Sequence, residues 1–139
     1  MNLDDFSKDS CNCNFIKESV CKIDKMQKEV VSDTNKCVSC ETSLFASMYN
    51  TIPVSFYTCC GNQVTANIST TTTTTPYFRI ESIRCNRFVT LNLLQQSSET
   101  TPTLTATNYT MILDLDCVGS MQCYEPINVE ICTQSQSTT

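Results

Sequence analysis

The chain has 139 residues, 40% of them hydrophobic, and a net charge of −5 at neutral pH. The length corresponds to one ordinary domain, and the nine basic residues are interleaved with acidic ones, which argues against a nucleic-acid-binding surface. With no histidine, the chain lacks the usual general base and the commonest metal ligand, so we predict neither an enzyme, nor a cofactor, nor a metal site.

Eleven cysteines are the most informative feature of the composition. Because the number is odd, complete oxidation requires at least one bond outside the chain. Many disulfides indicate an oxidising compartment, yet residues 1–5 are polar and acidic and no stretch has the length of a membrane span. Three explanations remain open: the cysteines bind metal, a signal peptide has been removed, or the protein is made in a cytosol and oxidised after that cell lyses.

Residues 1–13 are polar and predict a flexible arm that carries Cys11 and Cys13. Residues 14–33 have helical periodicity, with lysines and glutamates opposite an apolar face. That face is formed by Ile16, Val20, Ile23, Val30 and Val31, with Met26 nearby. We therefore predict an amphipathic helix, followed by a loop to residue 50 that contains Cys37-Val38-Ser39-Cys40.

From residue 51 the hydrophobic period changes to two, which is typical of strands. The predicted strands cover residues 52–57, 63–68, 77–83, 88–94, 108–117 and 127–131. About six or more short strands after one N-terminal helix predict a mainly β fold, an antiparallel β-sandwich or barrel over residues 51–132. Residues 133–139 are polar and predict a disordered tail.

The connections between these strands are polar. Six consecutive threonines at residues 70–75 predict an exposed loop, residues 84–86 a hairpin turn, and residues 95–107 a Ser/Thr-rich loop. Asp114 and Asp116 have the spacing of paired carboxylates, but we interpret them as the solvated face of an edge strand that blocks aggregation.

The alternation of side chains along strands divides the cysteines into two groups. Extending the strand that contains Ile52, Val54 and Phe56 places Cys60 inside and Cys59 outside, and the same logic places Cys117 inside and Cys132 outside. We therefore predict bonds to other chains from Cys11, Cys13, Cys59 and Cys132. Structural disulfides or buried thiols are predicted at Cys21, Cys37, Cys40, Cys60, Cys85, Cys117 and Cys123.

The Cys37-x-x-Cys40 pair has three interpretations. A zinc half-site needs a second pair of similar spacing, and Cys11-x-Cys13 is a poor match. A thioredoxin-like redox motif belongs in a βαβ unit, whereas this pair follows a helix and precedes an all-β region. A loop disulfide or a cross-link between chains fits the context best.

Four blocks of the β region are distinctive: PYFRIESI at residues 76–83, FVTLNLL at 88–94, LDLDC at 113–117 and MQC at 121–123. These blocks resemble the spore coat and exosporium proteins CotY, CotZ and ExsY. The upstream order of Cys-x-Cys, amphipathic helix and Cys-x-x-Cys is also similar, so the resemblance extends over residues 11–132. The chain differs in having Gly119 where relatives often have cysteine, in lacking a His-rich arm, and in its adjacent Cys59 and Cys60.

This resemblance implies a structural protein that self-assembles into a disulfide-cross-linked two-dimensional layer around bacterial endospores. It also implies synthesis without a signal peptide in the mother cell, with oxidation at the spore surface after that cell lyses. The implied partners are further copies of the chain, other coat or exosporium proteins and surface appendages. Two alternatives stay open: an adaptor that anchors appendages through residues 70–75 or the N-terminal arm, and a zinc-binding regulatory domain.

Overall fold

The computed structural model describes residues 14–33, 49–70 and 72–131. The predicted N-terminal arm, the Cys-x-x-Cys loop and the predicted tail lie outside these ranges. The elements in chain order are α1 (Phe15–Asp33), β1 (Val54–Thr58), β2 (Ala66–Asn67), β3 (Thr74–Thr75), β4 (Phe78–Arg84), β5 (Phe88–Gln96), β6 (Leu104–Asp114), a 3-10 turn (Leu115–Cys117) and β7 (Val118–Cys123). The prediction of a mainly β, antiparallel fold after one N-terminal helix is confirmed.

Five strands form one antiparallel sheet in the order β6-β5-β4-β1-β7, and β2 pairs with β3 in a small second sheet. Strands β6 and β7 lie at opposite edges, yet only the three-residue 3-10 turn connects them. Four strand spacings would separate the edges of a flat sheet by about 19 Å, whereas four chain steps span at most about 14 Å. The sheet must therefore curl at this corner, as in a sandwich or barrel.

Helix α1 closes one side of this curled sheet by packing against β4. Asn14 caps its start, because the Asn14 Oδ1 accepts a hydrogen bond from the Lys17 N–H at 3.1 Å. Val20, Ile23 and Val30 are buried, as the periodicity predicts, while Met26 is 41% exposed. The buried Gln27 fixes the docking position: its amide donates to the Ile80 carbonyl at 2.7 Å and accepts from the Ile52 N–H at 3.0 Å.

The core is formed by aliphatic and aromatic side chains from α1 and the large sheet. Phe56 and Phe78 are fully buried, with their ring centroids 6.2 Å apart. Ile80 on β4 and Val89 and Leu91 on β5 are also fully buried. Within the described residues, no cysteine belongs to this core. The described core is therefore formed by apolar packing and contains no cysteine.

Arg79 is 5% exposed although it lies on the opposite face of β4 from the core. Its guanidinium donates to the Thr51 hydroxyl at 2.8 Å, to the Asn50 carbonyl at 3.1 Å and to the Glu81 carboxylate at 3.1 Å. The segment after β7 runs antiparallel to residues 50–51, since the Thr51 and Ile127 backbones exchange hydrogen bonds of 3.1 and 2.8 Å. Arg79 thus connects β4 to residues 50–51 outside the apolar core.

Four sequence predictions of local structure need correction. The strand predicted at 63–68 is reduced to β2, and that at 127–131 to one bridge between Thr51 and Ile127. Strand β7 was not predicted, and β6 starts at Leu104, within the predicted polar loop 95–107. The threonine run is not a wholly exposed loop: Thr75 is 2% exposed and its hydroxyl donates to the Leu94 carbonyl at 2.6 Å.

Candidate functional site: the exposed thiols

The structure describes six cysteines, and all six are exposed free thiols. They are Cys21, Cys59, Cys60, Cys85, Cys117 and Cys123. The remaining candidates, Cys11, Cys13, Cys37, Cys40 and Cys132, lie outside the described residues. The exposure of Cys59 agrees with its predicted outward side chain, but its predicted bond to another chain stays a prediction.

The prediction that Cys60 and Cys117 are buried is wrong. Strand β1 ends at Thr58, so Cys60 lies in a tight turn where alternation no longer applies. Cys117 closes the 3-10 turn, whose start is capped by the Asp114 carboxylate accepting from the Asp116 N–H at 3.0 Å. That turn rotates Cys117 outward while Leu115 stays buried.

Cys21, Cys85 and Cys123 are also exposed, and none of them is a buried thiol. Cys21 lies on the solvent side of α1. Cys85 and Asn86 form the β4–β5 turn with φ of 56° and 52°, the left-handed pair that two-residue hairpins favour. This turn places the Cys85 thiol at the tip of a hairpin, where it is accessible to a second molecule.

A network of ion pairs joins several of these thiol-bearing segments at one end of the molecule. Arg87, beside the hairpin turn, contacts Asp114 at 2.9 Å and Asp116 at 3.1 Å. Lys17 in the first turn of α1 contacts Asp116 at 2.7 Å. The two aspartates are thus ion-paired. Asp114 ends the edge strand β6, in agreement with the predicted edge-strand position, whereas Asp116 lies in the 3-10 turn, which corrects the prediction for that residue.

Hydrogen bonding from Arg87 lowers the pKa of the Asp114 carboxyl, and the same contact raises the pKa of Arg87. The lowered carboxyl pKa keeps Asp114 ionised at neutral pH, so this contact is weakened only as acid protonates Asp114. The network holds the β4–β5 turn, the 3-10 turn and the start of α1 together. We call this region the cysteine end; it carries Cys59, Cys60, Cys85 and Cys117.

Cys59 belongs to the cysteine end because its N–H donates to the Cys117 carbonyl at 3.3 Å. Cys123 lies away from it: it pairs with Val54 at the start of β1, whereas Thr58 at the far end of β1 pairs with Val118. Four strand residues separate these positions by about 13 Å. The described thiols therefore lie at more than one place on the surface.

Burial raises the pKa of the Cys123 thiol, although the residue as a whole is exposed. Because the thiolate is the nucleophile, the raised pKa reduces the reactive fraction at neutral pH. We expect iodoacetamide to alkylate Cys123 more slowly in the folded protein than in the denatured chain, with the rate profile shifted to higher pH. Isotope-coded alkylation followed by peptide mass spectrometry measures this; coincident folded and denatured profiles would contradict it.

A cleft of about 500 Å³, lined by both polar and apolar side chains, lies on the outer face of β4, β5 and β6. Arg79 and Asn92 are cross-strand partners there, and Asn92 is 9% exposed. The Asn92 amide donates to the Thr107 carbonyl at 2.8 Å, while its own Oδ1 has no hydrogen-bond partner among the described residues. No local pattern in the sequence predicts this cleft, because its walls come from segments far apart in the chain.

The described ranges contain no cluster of three or more metal-ligating side chains. The Cys37-x-x-Cys40 pair, on which a zinc interpretation depends, lies outside them. In the same part of the chain, none of the helical segments combines the length and apolarity needed to cross a membrane.

The fold and the thiols together define a class: a mainly β protein whose described cysteines all lie on the surface. Comparison of the chain with protein-family models, with curated proteins and with solved structures found no match.

Proposed function

We propose that this protein is a structural component of the bacterial endospore surface, where it self-assembles into a disulfide-cross-linked layer of the outer coat or exosporium. The observation that carries the proposal is the placement of sulfur. Every described cysteine is exposed, while the described core contains none. Cysteines retained only to stabilise a small domain would be expected in internal disulfides.

The distribution of the thiols favours assembly into a layer in preference to a simple dimer. Cys85 lies at the hairpin tip, Cys60 in the turn after β1, Cys21 on α1 and Cys123 at the end of β7. Bonds formed in several directions join each subunit to several neighbours, and contacts between unlike surfaces extend without closing. Such bonds make disassembly a chemical event instead of a thermal fluctuation.

Strand β6 offers a non-covalent contact that brings subunits together before oxidation. It has 11 residues, lies at an edge of the large sheet and pairs with β5 alone among the described strands. Tyr109 is 46% exposed and Ile112 69% exposed, and the only charge on the strand is Asp114. Long edge strands with few charges are templates for pairing with another chain.

The resemblance to spore coat and exosporium proteins supports the location and the timing. In such proteins, synthesis in the reducing mother cell precedes deposition on the spore, so subunits can pack before their thiols oxidise. Exposed free thiols on a fold that does not depend on disulfides suit that order of events.

Electron microscopy of the purified protein tests the proposal. We expect protein concentrated under reductant and then oxidised to form an ordered sheet that resists dilution. Thiol added afterwards should disperse it. A Cys85→Ser and Cys60→Ser double variant should form smaller or less durable assemblies, while a Ser120→Ala variant, altered at an exposed non-cysteine position, serves as the matched control. Oxidised protein that stays dispersed at every concentration would overturn the proposal.

The second candidate function is an adaptor that anchors appendages or other coat proteins to such a layer. The cleft beside Arg79 and Asn92 favours it, because its buried unpaired carbonyl oxygen offers a hydrogen-bond acceptor to a bound segment. An adaptor would remain small when purified and would assemble only with its partner. Sedimentation of the oxidised protein alone, and then with spore-surface extracts, separates the two functions.

A further inference from the structure

The two chain segments that carry Cys59 and Cys117 are directly opposed. Strands β1 and β7 pair in antiparallel register, and the last pair is Thr58 with Val118. The next residues outward are Cys59 and Cys117, and the Cys59 N–H donates to the Cys117 carbonyl at 3.3 Å. They therefore continue the ladder past the end of the two strands.

A β-bulge produces this opposition. Tyr57 pairs with Ser120 but Thr58 pairs with Val118, so Gly119 is the extra residue. Without the bulge, Cys59 would face Val118. A Cβ at Gly119 would lie 3.0 Å from the Cys59 Cα and 3.1 Å from the Thr58 carbonyl oxygen, so only glycine allows this close approach.

Opposed residues of this kind satisfy the requirements of a disulfide. In a hydrogen-bonded antiparallel pair the Cα atoms are about 5.5 Å apart. Disulfides accept Cα separations of about 4.4–6.8 Å. By contrast, adjacent Cys59 and Cys60 are only about 3.8 Å apart across a trans peptide bond, which makes a bond between them strained. Both Cys59 and Cys117 are exposed, so an oxidant can reach them.

We propose that Cys59 and Cys117 of the same chain form a disulfide, which leaves Cys60 as the thiol of this turn that joins a neighbouring subunit. The Cys59–Cys117 bond is inferred from the strand register alone, whereas the role of Cys60 rests on the proposed function. The bond replaces the prediction that Cys59 cross-links chains.

The oxidant is a low-molecular-weight disulfide such as glutathione disulfide. The thiolate of one cysteine attacks a glutathione sulfur, forms a mixed disulfide and releases one glutathione thiolate. The thiolate of the second cysteine then attacks the protein sulfur and releases the other. Two S–H protons are lost from the protein and taken up by the two glutathione thiolates, and one glutathione disulfide is reduced for each bond formed.

The bond connects the end of β1 to the 3-10 turn, and so closes a loop that contains β2 to β6. Because the cross-link restricts the unfolded chain, we expect its formation to raise the Tm of the monomer on the order of 5–10 °C. Cys59→Ser and Cys117→Ser variants should each lose this redox-dependent increase, and Cys85→Ser should keep it.

Isotope mixing tests whether the bond lies within one chain. Equal amounts of reduced ¹⁴N and ¹⁵N protein are mixed, oxidised with glutathione disulfide, alkylated and digested with pepsin at acid pH, where exchange is slow. We expect a peptide pair joining Cys59 to Cys117 with no mixed-isotope form. The Cys60→Ser variant should retain this pair, which assigns the bond to Cys59 and not to its neighbour.

The outcomes separate this inference from the proposed function. A Cys59–Cys117 bond in protein that never assembles would support the inference and reject the layer. Layers in which Cys117 remains alkylated, or is bonded only in mixed-isotope pairs, would overturn the inference and leave the layer intact.

Discussion

Replacing Arg79 with alanine is expected to lower the free energy of unfolding by about 2–4 kcal/mol, because it removes a buried side chain and leaves the Thr51 hydroxyl and the Asn50 carbonyl without their donor. The guanidinium is held by Thr51, the Asn50 carbonyl and Glu81, and the residue is 5% exposed. The alanine variant leaves the buried Thr51 hydroxyl without its donor and opens a cavity beneath the segment after β7. Urea denaturation under reductant measures the change.

Two control variants test whether the loss of stability is specific to the buried guanidinium of Arg79. Arg84→Ala removes the same side chain from an exposed position on the same strand, and should change stability by no more than about 0.5 kcal/mol. Arg79→Lys keeps the charge but not the planar fork, and should give an intermediate loss. A loss of less than about 1 kcal/mol for Arg79→Ala would show that solvent replaces these contacts easily.

The second large effect is expected at Gln27, the residue that connects α1 to the sheet. Its side-chain amide pairs with the Ile80 carbonyl and the Ile52 N–H, and the residue is 3% exposed. Gln27→Met preserves most of the volume but leaves two buried backbone groups without partners. We expect a loss of about 2–4 kcal/mol, measured by urea denaturation.

The control for Gln27 is an exposed position on the same helix. Lys25→Met introduces the same side chain on the solvent face and should leave stability nearly unchanged. If Gln27→Met lowered the free energy of unfolding as little as Lys25→Met, the helix would be held by its apolar face alone, through Val20, Ile23 and Val30.

Local periodicity predicted the elements that bury the side chains of one face in the core and leave those of the other face outside it. Helix α1 and strands β4 and β5 have that property, and their inward residues Val20, Ile80 and Leu91 are buried as the pattern indicates. Strand β7 lacks it, because Gly119 lies in a bulge and most of its side chains are exposed. Its sequence therefore lacks the alternation of hydrophobic and polar residues from which a strand is predicted.

The positions of the thiols could be predicted only in part, because they depend on where strands end. Extending alternation by two residues beyond Thr58 placed Cys60 on the wrong side. For Cys117 a local signal exists: the Asp114-x-Asp116 spacing allows a carboxylate to cap a turn, as it does here. The hairpin turn was predicted, and it exposes Cys85.

The burial of Arg79 had no signal in the local sequence. Phe78 and Ile80 on either side of it are buried in the core, and a charged residue on the opposite face normally lies in solvent. The segment around Ile127, which bridges to Thr51 more than 70 residues earlier in the chain, covers this part of the molecule. Contacts at such sequence separation are set by the tertiary fold and not by local propensity.

Non-reducing electrophoresis after oxidation across a range of protein concentrations tests the central claim most directly, namely that surface thiols join one subunit to the next. Cross-linking between chains predicts a ladder of high-order species that grows with concentration and collapses to a single 15.6 kDa band when thiol is added. A single monomer band at every concentration after oxidation would contradict it.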